Sequence, residues 1–486
     1  MSTTPVASPA STTVRIDTML YGGDGRGRSP EAPEGAAIPL PFTLPGELVQ
    51  IQPELRILEP SPDRVDPACS HFGACGGCQY QHAAYPAQLA IKQAILRDTL
   101  TAAGLTALPE IAVHAAEPWH YRNRIRLRLA MVDGVLRVGY NRRTNTSALQ
   151  QTNQEPQFLP VTQCPIATPL LWRAAQALTE LASNPALDEA TLRWLHTAVE
   201  AELFASGDQS KLQLTLFTRS AQRKQPSATD PAFTKLCAAL QRLVPELTGA
   251  GVAILPAQSS ERSRRFERPK PGPQWGSPGL LYRVEPTTTA AATEAAPPAA
   301  HDHQDHWISR GGFFQVNRLL LPELARIATS SRTGALAWDL YAGVGLFSRA
   351  LTHGFEQVVA VEAAQPAAAD LSRALKGTAH RTVASTTLDF LQAAVLQRDR
   401  PDLIVMDPPR AGVGAEVCAL LTRLRTPEIV YVSCDPTTLA RDLALLINNA
   451  DNGYRLAELH LVDMFPQTFH LETVAILRHE VSILRC

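Results

Sequence analysis

From Gly311 to the C-terminus, short apolar runs alternate with helical segments, and this pattern restricts the fold more than any other feature of the chain. Strand candidates at 335–341, 357–361, 402–406 and 428–433 are almost wholly apolar instead of alternating, as strands covered on both faces are. The expectation is a mainly parallel α/β sheet with helices on each side. Ligands of such sheets bind beyond the carboxyl ends of the strands, so the residues that close each run are the functional candidates.

Four of these closures carry chemistry. Asp339-Leu340-Tyr341-Ala342-Gly343-Val344-Gly345 follows the first apolar run, and its glycines allow a nucleotide-like ligand close to the backbone. A dinucleotide site would carry a third spaced glycine, which is missing here. Glu362 ends the next run, where one carboxylate can take both hydroxyls of a ribose. Asp407-Pro408-Pro409-Arg410 closes the third, its prolines stopping the strand so that Asp407 stands at the sheet edge. Ser433-Cys434-Asp435-Pro436 closes the fourth. There a helix start and a nearby Arg, such as Arg410, would favour a thiolate, which makes Cys434 a candidate nucleophile. The loop Asp463 to Glu472 adds His470 and Glu472 before the last strand.

The first 310 residues read differently. Residues 1–12 suggest a disordered lead, and 14–59 a small β-barrel punctuated by Gly22, Gly23, Gly25 and Gly27. Arg122, Arg124, Arg126 and Arg128 alternate with Asn123, Ile125, Leu127 and Leu129, which places four guanidinium groups on one face of a strand. Like charges so aligned need anionic company, so a phosphate-facing role is expected. Net charge is −1 with a pI near 6.9, which excludes binding of nucleic acid by bulk charge but not by a local groove. Residues 286–306 are rich in Ala, Thr and Pro and end in a His/Asp run. They read as a flexible insertion without a metal site. The Ser/Thr/Pro-rich start has no signal-peptide pattern and no apolar run reaches the ~18 residues of a membrane span, so a cytoplasmic protein is expected.

Eight cysteines are too few for a disulfide scaffold in a chain of 486 residues. Cys69, Cys75 and Cys78 cluster among Gly73, Gly76 and Gly77, and Cys164 stands apart in Gln163-Cys164-Pro165. Three close thiolates and one distant one suit either zinc or an iron–sulfur cluster.

Taken together, Gly311-Gly312-Phe313-Phe314-Gln315-Val316-Asn317, Asp407-Pro-Pro-Arg-Ala-Gly412, Ser433-Cys434-Asp435-Pro436 and His470-Leu471-Glu472 stand in an order and spacing that resembles the RNA uracil-5-methyltransferases. The likeness is greatest to the bacterial 23S ribosomal RNA form, which has a TRAM domain and a [4Fe-4S] cluster. The resemblance implies a TRAM-like barrel at 13–68 and a central iron–sulfur and RNA-binding domain at 69–310. It further implies a Rossmann-like class I methyltransferase domain at 311–486. Cys434 would be the nucleophile and Glu472 the base. Gln315, Tyr341, Leu346, Glu362, Asp389 and Asp407 would contact S-adenosylmethionine. Cys69, Cys75, Cys78 and Cys164 would hold the cluster. The implied activity is methylation of uracil C5 in folded RNA, 23S ribosomal RNA before transfer RNA, by a monomer. The competing expectation is an iron–sulfur RNA-binding protein without catalysis, which would need neither Cys434 nor Glu472.

Overall fold

The computed structural model describes residues 13–29, 37–52, 54–143, 157–219, 228–256, 269–285, 304–448 and 453–479. The expected lead at 1–12 and most of the insertion, 286–303, lie outside the described residues.

Strands β1 (Thr13–Met19), β2 (Asp24–Arg28), β3 (Ile38–Pro41), β4 (Leu48–Gln50) and β5 (Arg56–Glu59) form an antiparallel sheet ordered β3-β2-β1-β4-β5. Its small core is Val14, Ile16, Leu40 and Val49. Two of the glycines are there for space: a Cβ on Gly25 would lie 2.2 Å from Thr43 Oγ1, and one on Gly27 2.4 Å from Val14 Cγ1. No β3–β5 ladder closes this sheet into a barrel among the described residues.

Helix α1 (Tyr85–Ala102) and strand β6 (Ile111–His114) follow the cysteine loop but do not join the central layer. Ile91, Ile95, Leu96 and Leu100 share a core with residues of the C-terminal sheet, and β6 becomes that sheet's edge strand. The central layer is β7 (Arg124–Val132), β8 (Val135–Asn141), β9 (Phe158–Pro160), α2 (Pro169–Ala182), α3 (Glu189–His196), β10 (Ala198–Ala205), β11 (Leu212–Arg219), α4 (Pro231–Leu243), β12 (Leu247–Leu255) and β13 (Lys270–Gly276). Its seven strands run β13-β12-β11-β10-β7-β8-β9, parallel only between β11 and β12. The period of two in β7 is realised, with Ile125, Leu127 and Leu129 buried in the core that holds α2. Strands β14 (Gly279–Val284) and β15 (Gln304–Ser309) form a separate antiparallel pair. Residues 304–306 therefore belong to a strand and not to the insertion. His306 is wholly buried beside Phe314, and burial lowers its pKa to about 3.

The C-terminal layer comprises α5 (Leu321–Thr329), β16 (Gly334–Leu340), α6 (Leu346–Leu351), β17 (Phe355–Val361), α7 (Ala367–Ala374), β18 (Arg381–Val383), α8 (Thr387–Gln397), β19 (Leu403–Met406), α9 (Gly414–Leu424), β20 (Glu428–Ser433), α10 (Pro436–Ile447), β21 (Tyr454–Val462) and β22 (Glu472–His479). The order is β18-β17-β16-β19-β20-β22-β21-β6. Strands β16 to β20 are parallel, and β22 runs against them. The α/β expectation for this half is met, and the strand order reverses between β16 and β19, which is where such sheets open a ligand crevice.

Candidate active site

Three loops converge at the carboxyl edge of this sheet. Asp407 follows β19, Cys434 follows β20, and Glu472 opens β22. Gln315 Nε2 donates to Asp407 Oδ2 at 3.2 Å. Glu472 is 2% exposed, and its Oε1 has no hydrogen-bond partner among the described residues. Burial, and then the Asp407 carboxylate, push the Glu472 pKa well up, while Arg410 opposes the shift. Burial also raises Asp407, against its bond from Gln315. Two carboxyls that repel each other's charge in one site resist double ionisation.

Cys434 was expected to ionise easily, and the structure reverses that. Burial pushes the thiol up to about 11, and the carboxylates of Glu472 and Asp407 add to it. Arg410 does bond to the thiol and pulls the other way, but one half-solvated guanidinium does not outweigh burial beside two acids. The helix N-terminus is already satisfied. Asp435 Oδ1 accepts from the amides of Thr437 and Thr438 at 2.9 and 3.2 Å.

The 407–413 loop is pinned by α10. The Thr438 hydroxyl donates to the Arg410 carbonyl (3.0 Å) and Arg441 Nη2 to the Ala411 carbonyl (2.8 Å). Asp442 Oδ2 accepts from both the Val413 amide and the Tyr431 hydroxyl at 2.8 Å. Gly412 has φ +72°, and a Cβ there would lie 2.4 Å from Asp442 Oδ2, so the turn requires glycine. Arg410 Nη2 meets His470 Nδ1 at 3.3 Å. Burial, and then Arg410, lower the His470 pKa to about 4, so its ring is neutral and can accept from the guanidinium.

A second cleft of about 510 Å³ opens beside the glycine turn, lined by Tyr341, Glu362, Thr386, Thr387 and Glu416 among others. Tyr341, Gly343 and Gly345 are all left-handed, which bends the chain sharply after β16. Glu362 faces this turn: its Oε2 accepts from the Gly343 amide at 2.9 Å and its Oε1 from the Ala364 amide at 2.6 Å. Asp339 is buried beneath, bonded by the Ser348 hydroxyl, and burial raises it to about 7. Two expected cofactor positions do not present side chains to the cleft. Leu346 opens α6 and is 7% exposed in the core. Asp389 is exposed, its Oδ2 accepting from Thr386 Oγ1 (2.6 Å) while Thr386 caps α8.

The four expected metal-ligating cysteines do come together. Cys69, Cys75, Cys78 and Cys164 line one cavity of about 320 Å³, whose wall also includes Arg122 and His470. The Gly77 amide donates to Cys75 Sγ at 3.4 Å and the Tyr140 hydroxyl to Cys164 Sγ at 3.6 Å. Burial raises the thiols of Cys75 and Cys164, and that of Cys78 to about 12, with neighbouring cysteines adding to each. Among the described residues no three His, Cys, Asp or Glu side chains are grouped around a single metal-ion position. The cysteines surround a space and do not converge on a point.

The arginine row is where sequence reasoning and structure part. Arg124 is stacked on Phe204 at 4.0 Å and donates Nη1 to the Gly312 carbonyl at 2.7 Å. Arg126 lies over Phe217 at 3.8 Å and pairs with Glu200. Arg128 donates to Asn141 Oδ1 at 2.8 Å. Their charges are met by rings, a carboxylate and carbonyls within the molecule, so a bare phosphate-facing stripe is not what the strand presents.

Nothing in the residue pattern signals the clamp on the 463–470 loop. Lys92, fully buried in α1, donates to Asp463 Oδ1 at 2.5 Å and to the Phe465 carbonyl at 2.9 Å. Tyr85 donates to Asp463 Oδ2 (2.8 Å), and Gln88 makes two bonds to Gln467. The amides of Gln79 and Tyr80, next to Cys78, both donate to the Gln467 carbonyl at 3.0 Å. A lysine inside a helical pattern reads as a solvated residue until its partner, 371 positions away, is known.

Residues 313–480 match the model of the tRNA (Uracil-5-)-methyltransferase family. The 23S rRNA (uracil(1939)-C(5))-methyltransferase RlmD of Nitrosospira multiformis is 29% identical, over 93% of this chain and 96% of its own. An uncharacterized RNA methyltransferase of Nitratidesulfovibrio vulgaris is 28% identical over 96% of both chains. The crystal structure of Pyrococcus abyssi tRNA (uracil-54, C5)-methyltransferase in complex with S-adenosyl-L-homocysteine shares the fold, with a TM-score of 0.66 at 21% identity, covering 96% of this chain and all of that one.

Proposed function

We propose that this chain, whose residues 313–480 match the tRNA (Uracil-5-)-methyltransferase family model, methylates uracil C5 in 23S ribosomal RNA through a covalent Cys434 adduct at C6. The observation that carries this reading is the meeting of Cys434, Arg410, Asp407 and Glu472 at one sheet edge. Neither an amine methyltransferase nor a non-catalytic binding protein has use for a thiol beside a buried, unpartnered carboxyl.

Uracil C5 is a weak nucleophile. As Cys434 loses its proton to solvent and its sulfur adds to C6, the ring becomes an enolate with electron density on C5. Arg410 steadies the thiolate while it forms. S-adenosylmethionine, when bound, supplies the electrophilic methyl group that C5 takes. The cleft lined by Tyr341 and Glu362 would hold its adenosine, with the Glu362 carboxylate offered to the ribose hydroxyls. Glu472 then takes the C5 proton, and the C6–S bond breaks to release Cys434. Burial that raises the Glu472 pKa makes its ionised form the stronger base. Gln315 and Asp407 orient the reacting partners, and the target base enters flipped or unpaired.

Cys69, Cys75, Cys78 and Cys164, four thiols that line one cavity, would hold a [4Fe-4S] cluster. The cluster would hold the 69–80 loop in shape. The N-terminal sheet takes the place of a TRAM-like RNA-binding module, and a monomer acting in the cytoplasm completes the reading. No helix among the described residues is long and apolar enough to cross a membrane.

The test is Glu472→Gln. This variant should add to C6 and transfer the methyl group but not eliminate, and so accumulate a methylated RNA–protein adduct on denaturing gels. Cys434→Ala should form none. A folded Glu472→Gln protein that binds cofactor yet yields no adduct would refute the base assignment. RNA methylated at transfer RNA uridines and not in 23S ribosomal RNA would replace the substrate and leave the mechanism.

A further inference from the structure

The turn between β1 and β2 belongs by sequence to the N-terminal sheet, yet it ends inside the reaction site. The Tyr21 hydroxyl donates to Asp435 Oδ2 at 3.5 Å, one residue after Cys434. Its ring meets Phe469 edge-on, with centroids 5.3 Å apart and planes at 82°. Phe469 in turn lies 4.2 Å from the His470 ring, which contacts Arg410. Gly23 in the same turn has φ +97° and no room for a side chain: a Cβ would stand 2.8 Å from Gln79 Cβ and 3.6 Å from Phe469 Cβ. Asp24 accepts from Arg143 Nη2 at 2.8 Å. One four-residue turn thus touches the loop of the nucleophile, the loop that leads to the base, and the segment next to Cys78.

We propose that Tyr21 is a positioning residue of the methyl-transfer site, holding the loops of Cys434 and Glu472 in register through Asp435 and Phe469. Asp435 is the cap of α10, so a shift of its carboxylate moves the start of the helix and Cys434 with it. Phe469 stands three residues before Glu472 on a segment without regular structure, so its ring is the handle by which the turn fixes that approach. The hydroxyl bond is long and the ring contact is close, so the ring carries most of the effect. Cys434 is near enough to Tyr21 to add to the cost of ionising its hydroxyl. The proposal rests on the uracil-5-methyltransferase reading for its activity arm alone.

Tyr21→Phe, Tyr21→Leu and Tyr21→Ala are compared in the full chain. With a 23S ribosomal RNA fragment, Tyr21→Ala should lower kcat ~10-fold and change the KM values for RNA and S-adenosylmethionine less than ~2-fold, since misplacement of reacting groups is felt in the chemical step. Tyr21→Phe should recover kcat to within ~2-fold of wild type, with Tyr21→Leu between them. A loss confined to the RNA KM would make the turn an RNA contact and overturn the proposal. So would a Phe variant as slow as the Ala variant. Alkylation of Cys434 by iodoacetamide, followed by peptide mass, needs no RNA. It should run about threefold faster or more in Tyr21→Ala, with buried Cys237 and Cys418 unchanged. Equal alkylation rates in wild type and Tyr21→Ala would sink the positioning role. If wild type methylates no uridine, the functional reading fails by itself, and alkylation still decides Tyr21. Should Tyr21→Ala not fold, Tyr21→Leu takes its place in every comparison.

Discussion

Cys434 and Glu472 sit in surroundings that make each a poor ion at rest, and this sets how the reaction should respond to pH. The thiol is held near 11 and the carboxyl is raised, so the reactive ionised forms of both grow with alkali. The rate of adduct formation with 5-fluorouridine RNA should therefore climb about tenfold per pH unit from 7 to 9, where a freely ionised thiolate would give a plateau. Arg410→Gln removes the guanidinium that eases ionisation of the thiol and should lower that rate at every pH in the range, most at pH 7. Asp339 offers a stability test. Its folded pKa of about 7 lies above the ordinary carboxylate value, so the folded state holds its proton longer than the unfolded chain. Stability gained from that proton is complete below pH 4 and lost as pH rises towards 7. Urea melts should show wild type falling relative to Asp339→Asn between pH 4 and 7, then running parallel. The positions of Asp407 and Cys434 were legible in the sequence because each closes an apolar run, and that of Glu472 because it stands directly before the last one. The acidity of Cys434 was not, since it depends on which carboxyls face the thiol from other strands.

Strand β7 shows the same division among elements. The alternation that buries Ile125, Leu127 and Leu129 was legible, because a period of two needs no knowledge of the partner. What the guanidinium groups meet was not legible, because Phe204, Phe217 and Glu200 come from β10 and β11. Arg124→Ala should accordingly cost about 2 kcal/mol of stability, from the lost bond to Gly312 and the lost ring contact. It should leave the salt dependence of RNA binding nearly unchanged, whereas each lost phosphate contact would flatten the log–log slope by ~0.7–0.9. A slope change of that size would restore the phosphate-facing role. The clamp from α1 invites a harsher test. Lys92→Met leaves Asp463 buried without its cation and should destabilise the protein by about 3–5 kcal/mol in denaturant melts. The glycine turn at 341–345 and the acid Glu362 were legible as neighbours at the sheet edge, and the Glu362 carboxylate does accept from the Gly343 amide. Leu346 and Asp389 were placed by resemblance, and the core and the α8 cap engage their side chains instead.

Across the whole molecule, the cysteine cavity, the reaction edge and the N-terminal turn are joined through the 463–472 loop. Anaerobically purified protein should hold about four irons per chain with broad visible absorbance, and Cys75→Ser should lose both. Stoichiometric zinc in a colourless protein would dismiss the cluster. The α/β half was legible because its strands are uniform and its motifs sit at their ends. That α1 and β6 belong to this half was not, because their partners α10 and β21 lie hundreds of residues downstream. That arrangement has a consequence in time. His114 and His460, hydrogen-bonded across β6 and β21, are 346 positions apart in the chain. At a ribosome adding 5–20 residues per second, α1 emerges ~20–70 s before the strands and helix that cover it. Through that interval Ile91, Ile95, Leu96 and Leu100 lack their partners from the C-terminal sheet, and only earlier residues such as Met19 and Leu44 can cover the helix for most of the synthesis. A folding factor that shelters such a helix would have its longest opportunity here, and an enzyme proposed to modify ribosomal RNA spends much of its own manufacture waiting on a ribosome to finish its sheet.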